Sequence, residues 1–101
     1  MIKFGLPFET IEKINSVFKK HHEIEKVIIY GSRARGNFRP GSDIDLTLKG
    51  ENLTYDIIPA VRAEIDNLNT PYLFDISIFD LLKSPDLEEH IHGLGQVFYE
   101  K

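Results

Sequence analysis

The sequence contains no cysteine among its 101 residues, which excludes a disulfide framework and a thiolate metal site. It also lacks any apolar run close to the ~20 residues that a membrane-spanning helix needs. The N-terminus has no basic segment followed by an apolar core, so it does not resemble a signal peptide. These absences predict a cytoplasmic protein with no membrane partner.

An excess of basic residues is missing too, because the formal net charge is -4. General nucleic-acid binders carry a basic excess that neutralises phosphates, so nucleic acid is not an expected partner. A local basic loop can still bind one small polyphosphate. Hydrophobic residues make up 42% of the chain, which is ordinary for a globular protein, and the length predicts a single domain over residues 1–101.

Three stretches space their apolar residues by three and four positions, as in a helix that is buried on one side. They are residues 7–20, residues 58–68 and the segment that follows Ser84-Pro85. In the third stretch, Ser84 suits an N-cap and Pro85 a first helical position, and Gly93 is expected to end the helix.

β-Branched or alternating runs predict strands between and after these helices. The runs are residues 26–30, 43–49, 72–79 and 96–99, the last as a short edge strand. Residues 31–42 are rich in Gly, Arg and Ser and are predicted to form a loop, with one helical turn from Ser32. The predicted fold class is α/β (α+β), a small mixed sheet with helices packed on it.

Asp43 and Asp45 lie two residues apart on a predicted strand, so their side chains should project from the same face. Two like charges about 4 Å apart repel by roughly 4 kcal/mol at an effective dielectric of about 20, so the pair requires a proton or a cation. Magnesium suits the pair because it is bound by a couple of carboxylates together with substrate phosphates. Aspartate is disfavoured in strands, which makes a merely solvated pair the weaker alternative.

Asp75 is the candidate third carboxylate, on the polar side of a separate predicted strand. If that strand neighbours the strand of Asp43, the carboxylates converge. Two metal ions held there would stabilise the attacking and leaving oxygens of a phosphoryl displacement, and Asp75 could accept the proton of the incoming hydroxyl. Asp80 competes for this position, but it follows the strand and could instead cap the next helix.

The loop that begins at Gly31 carries the candidate phosphate contacts. Backbone N–H groups at a strand-to-helix turn bind phosphate oxygens, Gly31 permits close approach, and the Ser32 hydroxyl adds a donor. Arg33, Arg35 and Arg39 supply planar donors suited to phosphate, although each could be a surface arginine or pair with a carboxylate. The loop fits neither the P-loop nor the dinucleotide-binding glycine pattern.

The histidines are predicted to be structural. His21 and His22 end a helix, where a cation is favourable. His90 and His92 lie two apart on a predicted helix and do not face one another, so no metal role is expected for them. Phe38 could stack on a base, although packing in the core is the commoner fate of an aromatic side chain.

Segments 31–36 (GSRARG) and 42–46 (SDIDL) together resemble the G-S-x-A-R-G and S-D-x-D-L signature of the DNA polymerase β-like nucleotidyltransferase superfamily. The short length resembles the minimal nucleotidyltransferases that pair with HEPN proteins. The resemblance implies a polymerase β-like fold and a nucleoside triphosphate substrate, with ATP expected. It also implies transfer of a nucleoside monophosphate to a hydroxyl, with release of pyrophosphate.

The resemblance also assigns roles to the candidate residues. The three carboxylates would form the catalytic set and bind one or two Mg²⁺ ions, with Asp75 serving as the base as well. Gly31 and Ser32 would hold the triphosphate, and together with Arg33, Arg35 and Ser42 they make up the predicted nucleotide-binding set.

Larger members of the superfamily carry a helical domain that helps to bind the acceptor, and 101 residues leave no room for one. A HEPN partner protein, or a second copy of the chain in a homo-oligomer, could supply the missing part of the acceptor site. The HEPN partner could itself be the hydroxyl acceptor, which would make the chain an antitoxin-like regulator. The alternative is a non-catalytic module that binds nucleotide or partner and acts as an antitoxin by contact with a HEPN protein.

Overall fold

The structure is a computed structural model that describes residues 2–101. Its elements are, in chain order, β1 (Ile2–Lys3), β2 (Leu6–Pro7), α1 (Phe8–Lys19), β3 (Lys26–Tyr30), α2 (Ser32–Arg35), β4 (Ile44–Lys49), α3 (Ile57–Asp66), β5 (Phe74–Ile78), a 3₁₀ turn (Phe79–Leu81), α4 (Pro85–Leu94) and β6 (Gln96–Glu100). Within residues 2–101, none of the helices combines the length and apolarity that crossing a membrane requires.

The main sheet has the strand order β5–β4–β3–β6 and mixes both directions of pairing. β3 pairs antiparallel with β4 and with β6, whereas β4 pairs in parallel with β5. The register places Tyr30 opposite Asp45, and Asp45 beside Asp75. The predicted class, a small mixed sheet with helices packed on it, is confirmed.

One face of the sheet is buried against α1 and α3. Alternation along β4 puts Ile44, Leu46 and Leu48 into this core, where each is fully buried. Burying such a side chain contributes about 1.5–3 kcal/mol, so this face fixes which way the strand points. His21, which follows α1, joins Glu64 of α3 at 2.9 Å, in agreement with the structural role predicted for it.

The opposite face of the sheet is covered by α4, which packs against β3. Tyr30 from β3, Phe79 from the 3₁₀ turn and Ile91 from α4 form a small buried cluster there. At the beginning of β4 and β5, this face stays accessible, because Asp75 is exposed and Asp45 is only half-buried. The face that carries these carboxylates is therefore open beside α4.

Two helix ends differ from the predictions. Pro7 is the N-cap of α1 and not its first residue, and it also belongs to the β1–β2 hairpin, which was not predicted from the sequence. Gly93 does not end α4, which continues to Leu94 and is followed by Gly95. A side chain at Gly95 would collide with the Ile91 carbonyl, so this glycine allows the chain to leave the helix.

Candidate active site

Three aspartates lie at the end of the sheet where β3 finishes and β4 and β5 begin. Asp45 and Asp75 are register neighbours on parallel strands, which run about 4.8 Å apart. Asp43 directly precedes β4 and is exposed. Burial raises the pKa of Asp45, and the charges of Asp75 and then Asp43 raise it further, whereas His90 lowers it. The three carboxylates therefore belong to one electrostatic site.

Asp80, the competing candidate for the third carboxylate, lies elsewhere. It is exposed in the 3₁₀ turn after β5 and lines a cleft together with Lys26 and Lys49, at the opposite end of the β3–β4 pair. It does not cap α4 either, because the Ser84 hydroxyl accepts the capping bond from the N–H of Leu87. Asp75 is thus the carboxylate that neighbours the pair.

The turn after β3 brings backbone against the carboxylates. Gly31 has a φ of 77°, and a Cβ added there would collide with Oδ2 of Asp45. Glycine is therefore required both for the conformation and for the close approach. Ser32 begins α2, and the first N–H groups of a helical turn have no partner within it, so they can donate to an anion. This turn lies next to the carboxylate site.

Arg33 occupies a different position from the one predicted. Its side chain is buried, with 2% of the residue exposed, and Nε and Nη2 donate to the Ser42 carbonyl at 3.1 and 3.0 Å. Nη1 donates to the Phe4 carbonyl at 3.0 Å. The guanidinium carbon lies 5.2 Å and 5.1 Å from the ring centroids of Phe38 and Tyr72. The predicted contact between the Arg33 side chain and a nucleotide does not fit this position, because the guanidinium is enclosed and its donors are used by backbone carbonyls.

The other loop residues stay compatible with their predicted roles. Arg35 and Arg39 are exposed. The Ser42 hydroxyl accepts a hydrogen bond from the N–H of Arg39 at 2.8 Å, and the Ser42 N–H donates to the Arg39 carbonyl at 2.9 Å. Ser42 thereby closes the tight turn that leads into Asp43. Contacts of Gly31, Ser32, Arg35 and Ser42 with a nucleotide remain predictions.

A layer of hydroxyl groups next to the carboxylates was not predicted from the sequence. The Ser77 hydroxyl donates to Oγ1 of the fully buried Thr47 at 2.9 Å. Burial raises the pKa of Tyr30, a hydrogen bond with Ser77 lowers it, and the charges of Asp75 and Asp45 raise it. Alternation offered a signal for this layer, because Thr47 and Ser77 follow the two aspartates by two positions on the same strands.

His90 also approaches the site, although no function was predicted for it. Its ring lies nearly perpendicular to the Tyr30 ring at a centroid distance of 6.2 Å, and its charge lowers the pKa of Asp45. His92 packs instead against Phe79, at 5.2 Å. The prediction that the two histidines do not face one another is confirmed, and α4 contributes His90 to the wall beside the carboxylates.

The three carboxylates are suitable ligands for a hard divalent cation, but they do not form a complete coordination shell. Among residues 2–101, no three His, Asp or Glu side chains are arranged as a ready-made metal site. Carboxylate oxygens are nevertheless the ligands that such cations prefer, and mutual repulsion contributes to the raised pKa of Asp45. An ion bound by these residues would need further oxygen ligands, which phosphate and water can supply.

Comparison with known proteins decides the family. A protein-family model described as polymerase beta nucleotidyltransferase matches residues 12–101. The chain belongs to the polymerase beta nucleotidyltransferase family. The matched range contains all the candidate site residues, and membership confirms the resemblance carried by the GSRARG and SDIDL segments. No curated protein sequence matches the chain.

Solved structures share the fold at low sequence identity. A chain of a toxin–antitoxin complex with AMP-PNP has a TM-score of 0.71 at 16% identity, covering 90% of this chain and 73% of that one. A chain of the tri-AMPylated Shewanella oneidensis HEPN toxin in complex with MNT antitoxin gives 0.65 at 14% identity, covering 92% and 71%. A chain of the MntA–HepT toxin–antitoxin complex gives 0.66 at 13% identity, covering 94% and 74%. These similarities confirm the polymerase β-like nucleotidyltransferase fold.

Proposed function

We propose that the protein is a metal-dependent nucleotidyltransferase that moves a nucleoside monophosphate from a triphosphate, with ATP expected, to a hydroxyl and releases pyrophosphate. One observation carries the proposal: Asp43, Asp45 and Asp75 share an electrostatic site beside the Gly31 turn, in a chain of the nucleotidyltransferase family. The neighbouring strands hold two of the carboxylates at a fixed spacing. A triphosphate and its cation would meet at this point.

The triphosphate would lie along the turn after β3. N–H groups at the beginning of α2 and the Ser32 hydroxyl are suited to donate to its oxygens. Arg35 and Arg39 are both exposed, and each can add a planar donor. The close approach of Gly31 to Asp45 would bring phosphate oxygens bound at the turn near the carboxylates. The enclosed guanidinium of Arg33 is not proposed as part of this contact.

One or two Mg²⁺ ions are proposed between Asp43, Asp45, Asp75 and the phosphates. Such ions would neutralise charge on the attacking and leaving oxygens. Asp45, half-buried and between two other carboxylates, is the residue whose charge most needs a cation. Asp75 is exposed at the strand edge, so its carboxylate can reach an incoming hydroxyl and accept its proton.

A HEPN-family protein is the proposed partner and hydroxyl acceptor. The support is that similar folds occur as chains of toxin–antitoxin complexes, one of which contains a tri-AMPylated HEPN toxin. The open side of the carboxylate site fits this proposal, because Leu73 is 73% exposed just before β5 and Asp75 is also exposed. A second copy of the chain is the other candidate for covering this side.

A non-catalytic antitoxin is the second candidate function. One observation favours it: similar folds occur as chains of toxin–antitoxin complexes, and contact within such a complex does not require nucleotidyl transfer. In this case the chain would bind nucleotide or a HEPN partner without transferring anything. The two functions differ in whether label from the α-phosphate of ATP becomes covalently attached to the partner.

A label-transfer assay with α-labelled ATP, Mg²⁺ and a copurified HEPN-family protein distinguishes the two functions. We expect the wild type to transfer label and the variants Asp43→Asn and Asp75→Asn to lose this activity. Asp80→Asn is the matched control, because Asp80 is an exposed aspartate outside the carboxylate site and should transfer label normally. Binding of ATP without any transfer by the wild type would favour the non-catalytic antitoxin.

A further inference from the structure

Arg33 is a buried cation whose partners within the described residues are neutral. Its hydrogen bonds go to the carbonyls of Ser42 and Phe4, and its guanidinium faces two aromatic rings. A buried charge is costly unless its donors are satisfied, and planar stacking together with several hydrogen bonds provides that compensation. The arrangement is therefore a built site for an arginine and not a surface arginine that happens to be covered.

The contacts of Arg33 join three segments that are distant in the sequence. Phe4 lies in the β1–β2 hairpin, Phe38 and Ser42 lie in the loop before β4, and Tyr72 lies in the segment before β5. Gly5 packs so tightly here that an added Cβ would collide with the Phe38 ring. We call Arg33, Phe38 and Tyr72 the arginine clamp.

The arginine clamp and the neighbouring Leu73 hold the backbone on the two sides of Asp43. The Ser42 carbonyl, which belongs to the peptide group directly before Asp43, accepts two hydrogen bonds from Arg33. The N–H of Ile44, which belongs to the next peptide group, donates to the Leu73 carbonyl at 2.9 Å. Leu73 directly follows Tyr72, which packs on the guanidinium. Both peptide groups that flank Asp43 are thus tied to the clamp or to its immediate neighbour.

This attachment matters because Asp43 has little other support. It precedes β4, so the strand ladder does not hold it, and its side chain is exposed. Asp45 and Asp75, in contrast, are held by the register of two paired strands. The direction of the Asp43 carboxylate therefore depends on the two flanking peptide groups.

We propose that Arg33 is a positioning residue, which holds the Ser42 carbonyl so that the Asp43 carboxylate faces the metal–triphosphate site shared with Asp45 and Asp75. This inference rests on the proposed function, since it concerns Asp43 as a metal ligand. It gives Arg33 a role that acts through the backbone and needs no contact with the nucleotide.

The substitution Arg33→Lys distinguishes the effect of the positive charge from the effect of the guanidinium geometry. A guanidinium presents two parallel donors to one carbonyl and a flat face to two rings, whereas an ammonium is a compact point charge. In Arg33→Lys the positive charge near the site is retained, but the pair of hydrogen bonds to the Ser42 carbonyl is lost. We expect the affinity for the metal to fall about 10-fold, as for other residues that orient metal ligands.

The test is a titration of Mn²⁺ into protein with ATP, with bound Mn²⁺ followed by electron paramagnetic resonance. Wild type, Arg33→Lys and Tyr72→Leu are compared, and both variants are expected to need about 10-fold more Mn²⁺ for half-saturation. Val17→Ala is the control, because Val17 is buried on α1 outside the arginine clamp and its truncation lowers stability alone. The Mn²⁺ concentration at which Val17→Ala is half-saturated should match that of the wild type. This should hold even if its melting temperature falls as much as that of the clamp variants.

The outcomes separate the two proposals. A wild type with no saturable Mn²⁺ site in the presence of ATP would overturn the proposed function itself. A wild-type site that Arg33→Lys and Tyr72→Leu leave unchanged would overturn only the positioning role. The positioning role would also be overturned if Val17→Ala raised the half-saturation point as much as the clamp variants did. If Arg33→Lys does not fold, Tyr72→Leu decides, because Tyr72 is only partly buried.

Discussion

Replacing Asp45 with asparagine should stabilise the metal-free protein at neutral pH. The substitution keeps the shape of the side chain and removes the charge that lies between Asp43 and Asp75. In the folded protein the pKa of Asp45 is raised, so its protonated form is favoured by folding. The wild type carries an electrostatic penalty at neutral pH that the asparagine variant does not have.

The spacing of the strands sets the size of this penalty. Asp45 and Asp75 are register neighbours, and charges about 4.8 Å apart repel by about 1 kcal/mol in bulk water and about 3 kcal/mol at an effective dielectric of about 20. Because Asp75 is exposed, the lower part of this range applies, at about 1–2 kcal/mol. A change of about 1 kcal/mol corresponds to about 4–8 °C in the melting temperature of a domain this size.

Thermal unfolding in EDTA over a range of pH measures the effect. Because the folded pKa of Asp45 lies above the unfolded one, the stability of the wild type should fall as the pH rises from the ordinary aspartate value through the folded pKa. Asp45→Asn should lack this component, so the two proteins should converge at low pH and differ fully above that window. Asp80→Asn is the control. An Asp45→Asn variant that is no more stable than Asp80→Asn, or whose advantage grows as the pH falls, would refute the electrostatic penalty.

Further predictions concern the residues around the carboxylates and the bound cation. Ser77→Ala should lower the free energy of unfolding by about 1 kcal/mol in a urea titration, because the Thr47 hydroxyl loses its partner; an unchanged midpoint would contradict that role. Gly31→Ala should abolish the rise in melting temperature caused by Mg²⁺ and ATP, because a Cβ would collide with Asp45 at a positive φ. Retention of that rise would contradict binding at this turn. For the wild type, ATP at about 100 times its dissociation constant should add about 2.7 kcal/mol of stability with Mg²⁺, and excess EDTA should remove most of it.

The strands and their faces could be predicted because they follow local rules. In β4, hydrophobic residues alternate with Asp45, Thr47 and Lys49, and burial of one face leaves the other face for the carboxylate. The sequence could not show that Asp75 lies beside Asp45. Alternation predicts which side chains share a face of one strand, but it does not predict which strand pairs with it. The parallel pairing of β4 with β5 supplies that neighbour.

The position of Arg33 could not be predicted, because its partners converge only in the folded chain. The GSRARG segment makes each arginine a plausible phosphate ligand by residue type alone. Phe4 and Tyr72, which enclose Arg33 with Phe38, are distant from it in the sequence. The β1–β2 hairpin could not be predicted either, because strands of two residues are too short to show a periodic pattern.

Intact-mass spectrometry of a HEPN-family partner copurified with this protein tests the central claim most directly. With the wild type, Mg²⁺ and ATP, we expect the partner to gain the mass of one or more adenylyl groups. Asp75→Asn should produce no gain, whereas Asp80→Asn should match the wild type. A partner that binds but keeps its unmodified mass with the wild type, or an Asp75→Asn variant that modifies it at the wild-type rate, would contradict the claim that these carboxylates catalyse nucleotidyl transfer.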